Sequence, residues 1–268
     1  MKLNEIEHHI EPILQNTSGT IIILFANSAY REIIINWISA AKKLDVHNFW
    51  IISLDKPLDQ ELRKLGVNSV CCELSTKLLS RLWIFRIAIF KKLLTNNIDF
   101  VHSDADAVWL KNPLISFGNT AKKFDLLASQ GTIWPLDVFE QWRFVLCCGF
   151  FWARATKNTK NLFHELSQDI MESGDDQSSL NRVLYRRGLK WTFPGEKNTI
   201  LFKDRKLSIS SEIMYGVGEN INIGLIPFRE VQRIPLKQFK PTIAHPISPK
   251  ESAKKKSMFK KLDIWFAD

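Results

Sequence analysis

Four strand-like apolar runs, separated by stretches of helical spacing, constrain this chain more than any other feature. Residues 20–27 read Thr-Ile-Ile-Ile-Leu-Phe-Ala-Asn. A continuous apolar run of this length marks a strand covered on both faces, as in a parallel sheet. Over residues 30–44, Ile33, Ile34, Trp37, Ile38 and Ala41 recur at helical spacing. Residues 49–54 form the second run, closed by Asp55. A short helix at 58–65, Gly66, a third strand at 67–72 and a long helix over 77–95 follow. The fourth run is Asp99-Phe100-Val101-His102-Ser103. Strand and helix in strict alternation predict a doubly wound α/β sheet with helices on both faces. Such sheets bind ligands at the carboxyl ends of their strands, where Asp55, Asp104 and Asp106 fall.

The second half is less regular. Residues 125–129 and 145–152 read as strands, the latter containing Gly149. Residues 130–143, with Trp134, Pro135, Asp137 and Trp142, read as a loop. Helical spacing covers 156–172 and, after Asp175-Asp176, 177–187. Residues 189–193 are strand-like, and short strands and loops run on to His245. Residues 1–18 suit a polar lead-in with a short helix, and 252–262 a basic helix. No repeat, linker or low-complexity segment divides the chain, so one domain with two halves is expected over residues 1–268.

The sequence of 268 residues carries 37 basic and 28 acidic side chains, a net charge of +9. That favours an anionic partner. The excess is partly local, because residues 250–261 hold six lysines and one acid. The start lacks the basic-then-apolar layout of a signal peptide, and no apolar run is long enough for a span. The four cysteines form two vicinal pairs, Cys71-Cys72 and Cys147-Cys148, in strand-like runs. Neither spacing suits a zinc finger or a disulfide framework. Buried reduced thiols in a cytoplasmic protein are the expectation.

Asp104 and Asp106 are the candidate chemistry. On a strand, residues i and i+2 share a side, so just past a strand end both carboxylates can converge on one cation. Oxygen ligands suit Mg²⁺ or Mn²⁺, commonly completed by substrate phosphate and water. A solvated turn or a helix cap serves the same two residues, and the pair alone leaves both readings open.

With its context the segment gains meaning. Ser103-Asp104-Ala105-Asp106-Ala107-Val108-Trp109-Leu110-Lys111-Asn112-Pro113 resembles the DXD segment of the nucleotide-diphospho-sugar transferase family, GT-A fold glycosyltransferases that include plant rhamnogalacturonan xylosyltransferases. Asn27-Ser28-Ala29-Tyr30, Asn36-Trp37, Ile52-Ser53-Leu54-Asp55, Cys148-Gly149-Phe150-Phe151 and Asp176-Gln177-Ser178-Ser179-Leu180-Asn181 agree with further motifs in order. His245 and the stretch from Lys255 to Ile264-Trp265 resemble the closing signature. The likeness spans roughly residues 20–265.

The resemblance implies a single GT-A domain, with a nucleotide-binding half at about 19–115 and an acceptor and closing half at about 116–268. It implies a UDP-sugar donor, Mn²⁺ or Mg²⁺ held by Asp104, Asp106 and His245, and a glycan, lipid-linked or protein-linked acceptor. Donor contacts are implied for Ala26, Asn27, Tyr30, Asp55, Arg86, Ser103, Asp104, Ala105, Gly149 and Lys255. Related enzymes retain the anomeric configuration, which places Asp176 and Gln177, with Asp175, beside the reacting carbon. Either a covalent carboxylate intermediate or a same-face attack assisted by the leaving phosphate is compatible with these residues. The residues themselves offer blander readings. Asp176 suits a helix N-cap, Arg86 a surface charge with its stem packed down, and Lys255 a solvated basic tail. The sequence departs from the family pattern after His245, where Pro246 follows and no glycine occurs before Lys255.

Two other functions compete. One is a non-catalytic nucleotide-sugar-binding relative. The other is a nucleic-acid-binding protein, suggested by the charge. Against the latter, the aromatics lie in apolar runs and do not interleave with the lysine tail, so no nucleic-acid partner is expected. The tail suits a peripheral contact with an anionic membrane carrying a lipid-linked acceptor.

Overall fold

The computed structural model describes residues 3–15, 19–75, 78–235 and 240–268. Residues 1–2 and 16–18 of the expected lead-in and the first residue of the expected 77–95 helix lie outside these.

The first half follows the alternation. Helix α1 (Leu3–Gln15) precedes strand β1 (Ile21–Ala26), a short 3₁₀ turn (Ser28–Tyr30) and α2 (Arg31–Lys43). Strand β2 (Phe49–Ser53), α3 (Lys56–Lys64), β3 (Ser69–Cys71), α4 (Leu79–Thr95) and β4 (Phe100–Ser103) continue it. The four strands lie parallel in the order β3-β2-β1-β4. Every residue of β1, β2 and β4 is buried, as continuous apolar runs require of a sheet covered on both faces. Asn27, Asp55 and Asp104 therefore emerge along one edge of the sheet.

The second half breaks the parallel pattern. It runs through β5 (Val108–Trp109), α5 (Pro113–Ala121), β6 (Leu126–Gln130), α6 (Leu136–Trp142) and β7 (Leu146–Ala153). Helices α7 (Lys157–Ser173) and α8 (Asp176–Arg186) follow, then β8 (Lys190–Thr192), β9 (Lys197–Phe202), β10 (Arg205–Ser210), β11 (Met214–Gly218) and β12 (Ile221–Ile226). The chain closes with β13 (Val231–Gln232), β14 (Ile243–Ala244) and α9 (Ser252–Lys261). Strand β7 enters antiparallel between β4 and β6, and β12, β11 and β8 extend the sheet beyond them. One expectation fails here. Residues 130–143 are not all loop, because α6 occupies 136–142. Its seven residues are too few for a clear helical period, and only Val138 and Phe139 in it are buried.

Hydrophobic layers cover both faces of the sheet. On one, Phe90 stacks on Phe100 at 5.0 Å and meets Phe151 and Phe163 edge-on, joining α4 and α7 to the strands. On the other, Trp37 of α2 meets Trp109 of β5 and Phe49 of β2 edge-on. All four cysteines are free thiols, three buried and Cys71 half-buried. Among the described residues no helix is long and apolar enough to cross a membrane.

Candidate donor and metal site

Chain crossings at the end of β4 build the site. Strand β7 runs back along β4, and the Asp104 amide donates to the Gly149 carbonyl at 2.7 Å. A small second sheet, ordered β13-β14-β5, pairs Ala244 with Val108 in antiparallel register. That pairing carries His245, from the far end of the sequence, to the two aspartates. His245 Nε2 lies 3.3 Å from Asp106 Oδ1 and 3.5 Å from Asp104 Oδ2. One ligand atom from each of the three residues falls within 4.8 Å of the others. A Cβ at residue 149 would collide with His245 Cε1 and Asp104 Oδ2, so the approach of these groups requires glycine there. Two carboxylates and an imidazole around a cradle free of side-chain bulk fit a hard divalent cation such as Mn²⁺ or Mg²⁺.

The two aspartates have different neighbours. Asp104 Oδ1 accepts from Arg86 Nη1 at 2.9 Å and lies 3.2 Å from His102 Nε2. Burial alone would raise the Asp104 pKa, but the Arg86 guanidinium, His102 and His245 overcome it and hold the carboxyl far below its usual range. His102 is fully buried in β4, with Nδ1 3.0 Å from the Ile23 carbonyl. Burial and the charge of Arg86 lower its pKa to about 4 despite Asp104. A neutral ring has one proton and serves only one of its two acceptors at a time. Asp106 instead pairs with the Lys255 ammonium and with His245. Burial opposes its ionisation, and His245 and Lys255 prevail, leaving its pKa low. Burial and the field of Arg233 oppose protonation of His245. Hydrogen bonding to Asp106 and to the Cys147 thiol nevertheless leaves its pKa above the ordinary value.

Three of the blander readings give way. Arg86 is not a surface charge. It is 3% exposed, and besides Asp104 it pairs with Asp176 at 2.9 Å and donates to the Cys148 carbonyl at 3.0 Å. Lys255 is not a solvated tail residue. It is 2% exposed, packs near the Tyr30 ring and holds Asp106, while Lys256 pairs with Glu32. Asp176 does not cap α8. Asp175 does, accepting from the Ser178 amide at 2.6 Å, and that engages the carboxylate in holding the helix. Asp176 lies inside, with only the Arg86 ion pair at its Oδ2. Burial, opposed by Arg86 but reinforced by Asp104 and Asp175, raises its pKa to about 6.

The remaining predicted residues lie around this centre or point elsewhere. Gln177 donates to the Trp134 carbonyl at 2.6 Å, beside a half-exposed Trp134 ring. Asp55 caps α3 and accepts from the Ser28 amide at 2.7 Å and hydroxyl at 2.6 Å. Burial raises its pKa slightly, but these hydrogen bonds win and keep it low. Asn27 caps the 3₁₀ turn that presents Tyr30. The Tyr30 hydroxyl donates to the Lys250 carbonyl at 2.7 Å, tying the first loop to the start of α9. Burial, then Asp106 and Asp104, raise the Tyr30 pKa. Ser103 is fully buried, accepting from Trp109 Nε1 at 3.2 Å, so its hydroxyl faces inward. Ala26 and Ala105 are buried in the layer over α2.

Sequence reading missed His102, Arg233 and Cys147. His102 lay in plain view two residues before Asp104, in a strand where a histidine is otherwise unneeded. Cys147 faces His245 and Arg233, which together outweigh burial and lower its pKa. Arg233 carries no local signal, because only the β13–β14 pairing brings it here.

Comparison with known proteins bears on the family and the fold. Two curated relatives from Arabidopsis thaliana are similar in sequence. An arabinosyltransferase is 23% identical over 226 residues, covering 78% of this chain and 33% of its own length. A beta-arabinofuranosyltransferase is 24% identical over 225 residues, covering 73% and 40%. The chain thus spans between a third and two fifths of these relatives. Among solved structures, the glycosyltransferase GlyE of Streptococcus pneumoniae TIGR4 superimposes with a TM-score of 0.50 at 12% identity, over 93% of this chain and 65% of that one. An active-site mutant of LgtC gives 0.50 at 10% identity, over 87% and 89%. These likenesses show the GT-A fold. The sequence model described as nucleotide-diphospho-sugar transferase matches residues 45–203, more than half of the chain. With the fold in agreement, the chain belongs to the nucleotide-diphospho-sugar transferase family.

Proposed function

We propose that this chain transfers a sugar from a UDP-sugar to a hydroxyl of a glycan or of a lipid- or protein-linked acceptor, with a divalent metal and with retention of anomeric configuration. The observation that carries the reading is the meeting of Asp104, Asp106 and His245 within 4.8 Å at the carboxyl end of β4. These three would hold Mn²⁺ or Mg²⁺, which supplies charge stabilisation to the leaving diphosphate.

The chain's own residues do the rest. Arg86 fixes the Asp104 carboxylate from the core side, so its free oxygen faces His245. Lys255 neutralises Asp106 and stands ready for an oxyanion above it. Tyr30 ties the first loop to the closing segment beside the cluster. Asp176 and Gln177 stand at the start of α8, the first buried against Arg86 and the second anchored to the Trp134 backbone. We assign Asp176 to the face of the sugar beside the anomeric carbon, where a buried carboxylate stabilises positive charge developing there. The half-exposed Trp134 offers an apolar face to the acceptor. Names of the plant relatives make a UDP-pentose, arabinose included, the first donor to try.

The test is metal-dependent UDP release from UDP-arabinose, UDP-xylose, UDP-glucose and UDP-galactose. Asp106→Ala is expected to lower release at least about a hundredfold. Unchanged turnover in that variant would sink the assignment, and an inverted product anomer by NMR would remove retention.

A further inference from the structure

Beside the Asp104-Asp106-His245 cluster lies a half-buried cation, Arg233, that pairs with no carboxylate among the described residues. Strands β13 and β14 are parallel, with Gln232 opposite Ala244, so Arg233 leaves one strand as His245 leaves the other. The ladder continues past that point: the His245 amide donates to the Gln232 carbonyl at 2.9 Å and the Ile247 amide to the Arg233 carbonyl at 3.2 Å. Strand β14 pairs in turn with β5, which follows Asp106. The small sheet therefore brackets Asp106, His245 and Arg233 at one end. The Arg233 charge acts on both His245 and Cys147.

Arg233 Nε and Nη1 are both buried, and among the described residues neither has a hydrogen-bond partner. The contrast with Arg86 is direct. That guanidinium is held between two carboxylates and a carbonyl, whereas Arg233 faces an imidazole and a thiol. Leaving charged donors buried and unmet is costly, and a native site that keeps such donors needs a reason. An acceptor for these two donors is to be sought beyond the described residues.

We propose that Arg233 binds an oxygen of the donor diphosphate, completing with Lys255 a cationic clasp around it. The inference rests on the donor reading given above. A guanidinium fork matches phosphate oxygens in a way a point charge does not. Charge balance points the same way. Asp104, Asp106, Lys255 and a divalent ion together leave one positive charge. The diphosphate of a nucleotide sugar carries two negative ones, so Arg233 brings the site to neutrality. Arg86 does not enter this balance, because Asp176 offsets it.

Isothermal titration of the full chain with UDP, inorganic pyrophosphate and uridine, at fixed Mg²⁺, tests the proposal. Arg233→Met is expected to weaken UDP and pyrophosphate by the same factor, about ten- to a hundredfold, and to leave uridine unchanged. Arg233→Lys should recover part of the loss, and it keeps the test open should the methionine variant fail to fold. Equal UDP affinity in folded wild type and variants overturns the proposal and leaves the donor reading standing. Loss of uridine binding in step with UDP also overturns it, since that marks a structural role. A wild type that binds pyrophosphate but not UDP keeps the Arg233 site and removes the nucleotide. A wild type that binds neither overturns both.

Discussion

Asp104 and Asp106 are one residue apart and are held in opposite ways. One oxygen of Asp104 faces the core, where Arg86 and His102 fix it from α4 and β4. Asp106 faces the closing segment, where Lys255 of α9 and His245 after β14 hold it. The first carboxylate is positioned by residues within about twenty positions of it. The second depends on residues about 140 to 150 positions away. One half of the cluster is thus built by its neighbours in the sheet, and the other by the C-terminal segment.

The largest expected effect breaks the core side. Arg86→Met leaves the buried Asp176 and the half-buried Asp104 without their shared cation. Breaking a buried pair by removing one partner costs about 3–5 kcal/mol, which chemical denaturation would measure. The comparison predicts a smaller loss for Lys255→Met, since Lys255 pairs with one carboxylate and Arg86 with two. Similar losses in both variants would contradict the division of the site into fixed and closing sides.

Gly149→Ala strikes the seam between them. Its methyl would occupy the space where His245 meets Asp104. Overpacking of this kind costs about 1–3 kcal/mol, and His245 is expected to swing away. Mn²⁺ affinity by calorimetry should fall at least about tenfold while the sheet persists by circular dichroism. Undiminished affinity would show that His245 is not needed in the cluster.

The smallest effect is a pH dependence at Asp176. Its pKa is raised in the folded protein to about 6, chiefly by burial. Stability from such a group is full below its unfolded pKa and is lost as pH rises through the folded one. Asp176→Asn removes the titration. Its stability relative to wild type should therefore rise by about 1 kcal/mol from pH 5 to pH 8. A flat difference across that range would mean that Arg86 fully offsets the burial of this carboxylate.

Much of the framework was legible because it is written in local period. The runs at residues 20–27 and 49–54 became fully buried parallel strands. Asp55 and Asp175 cap helices with the residue types that capping selects. The acidic pair at the end of β4 stood where strand-end ligand sites are expected. Local period failed at α6, which is short and only partly buried. It also misplaced the α8 cap by one residue, since adjacent aspartates give the same signal and only the first one's geometry reaches the Ser178 amide.

What the sequence determined by itself was the order of strands and helices in the first half, the burial of β1, β2 and β4, and the presence of two carboxylates at a strand end. What only the tertiary structure decided was their company. Arg86 reaches Asp104 and Asp176 together because α4 and the start of α8 pack over the same face as β7. Lys255, His245 and Arg233 arrive because α9 and the sheet β13-β14-β5 fold back over the end of β4. The reason is physical. Apolar spacing encodes which side of an element is buried, whereas the pairing of charges far apart in sequence follows from which elements share a layer and in which register.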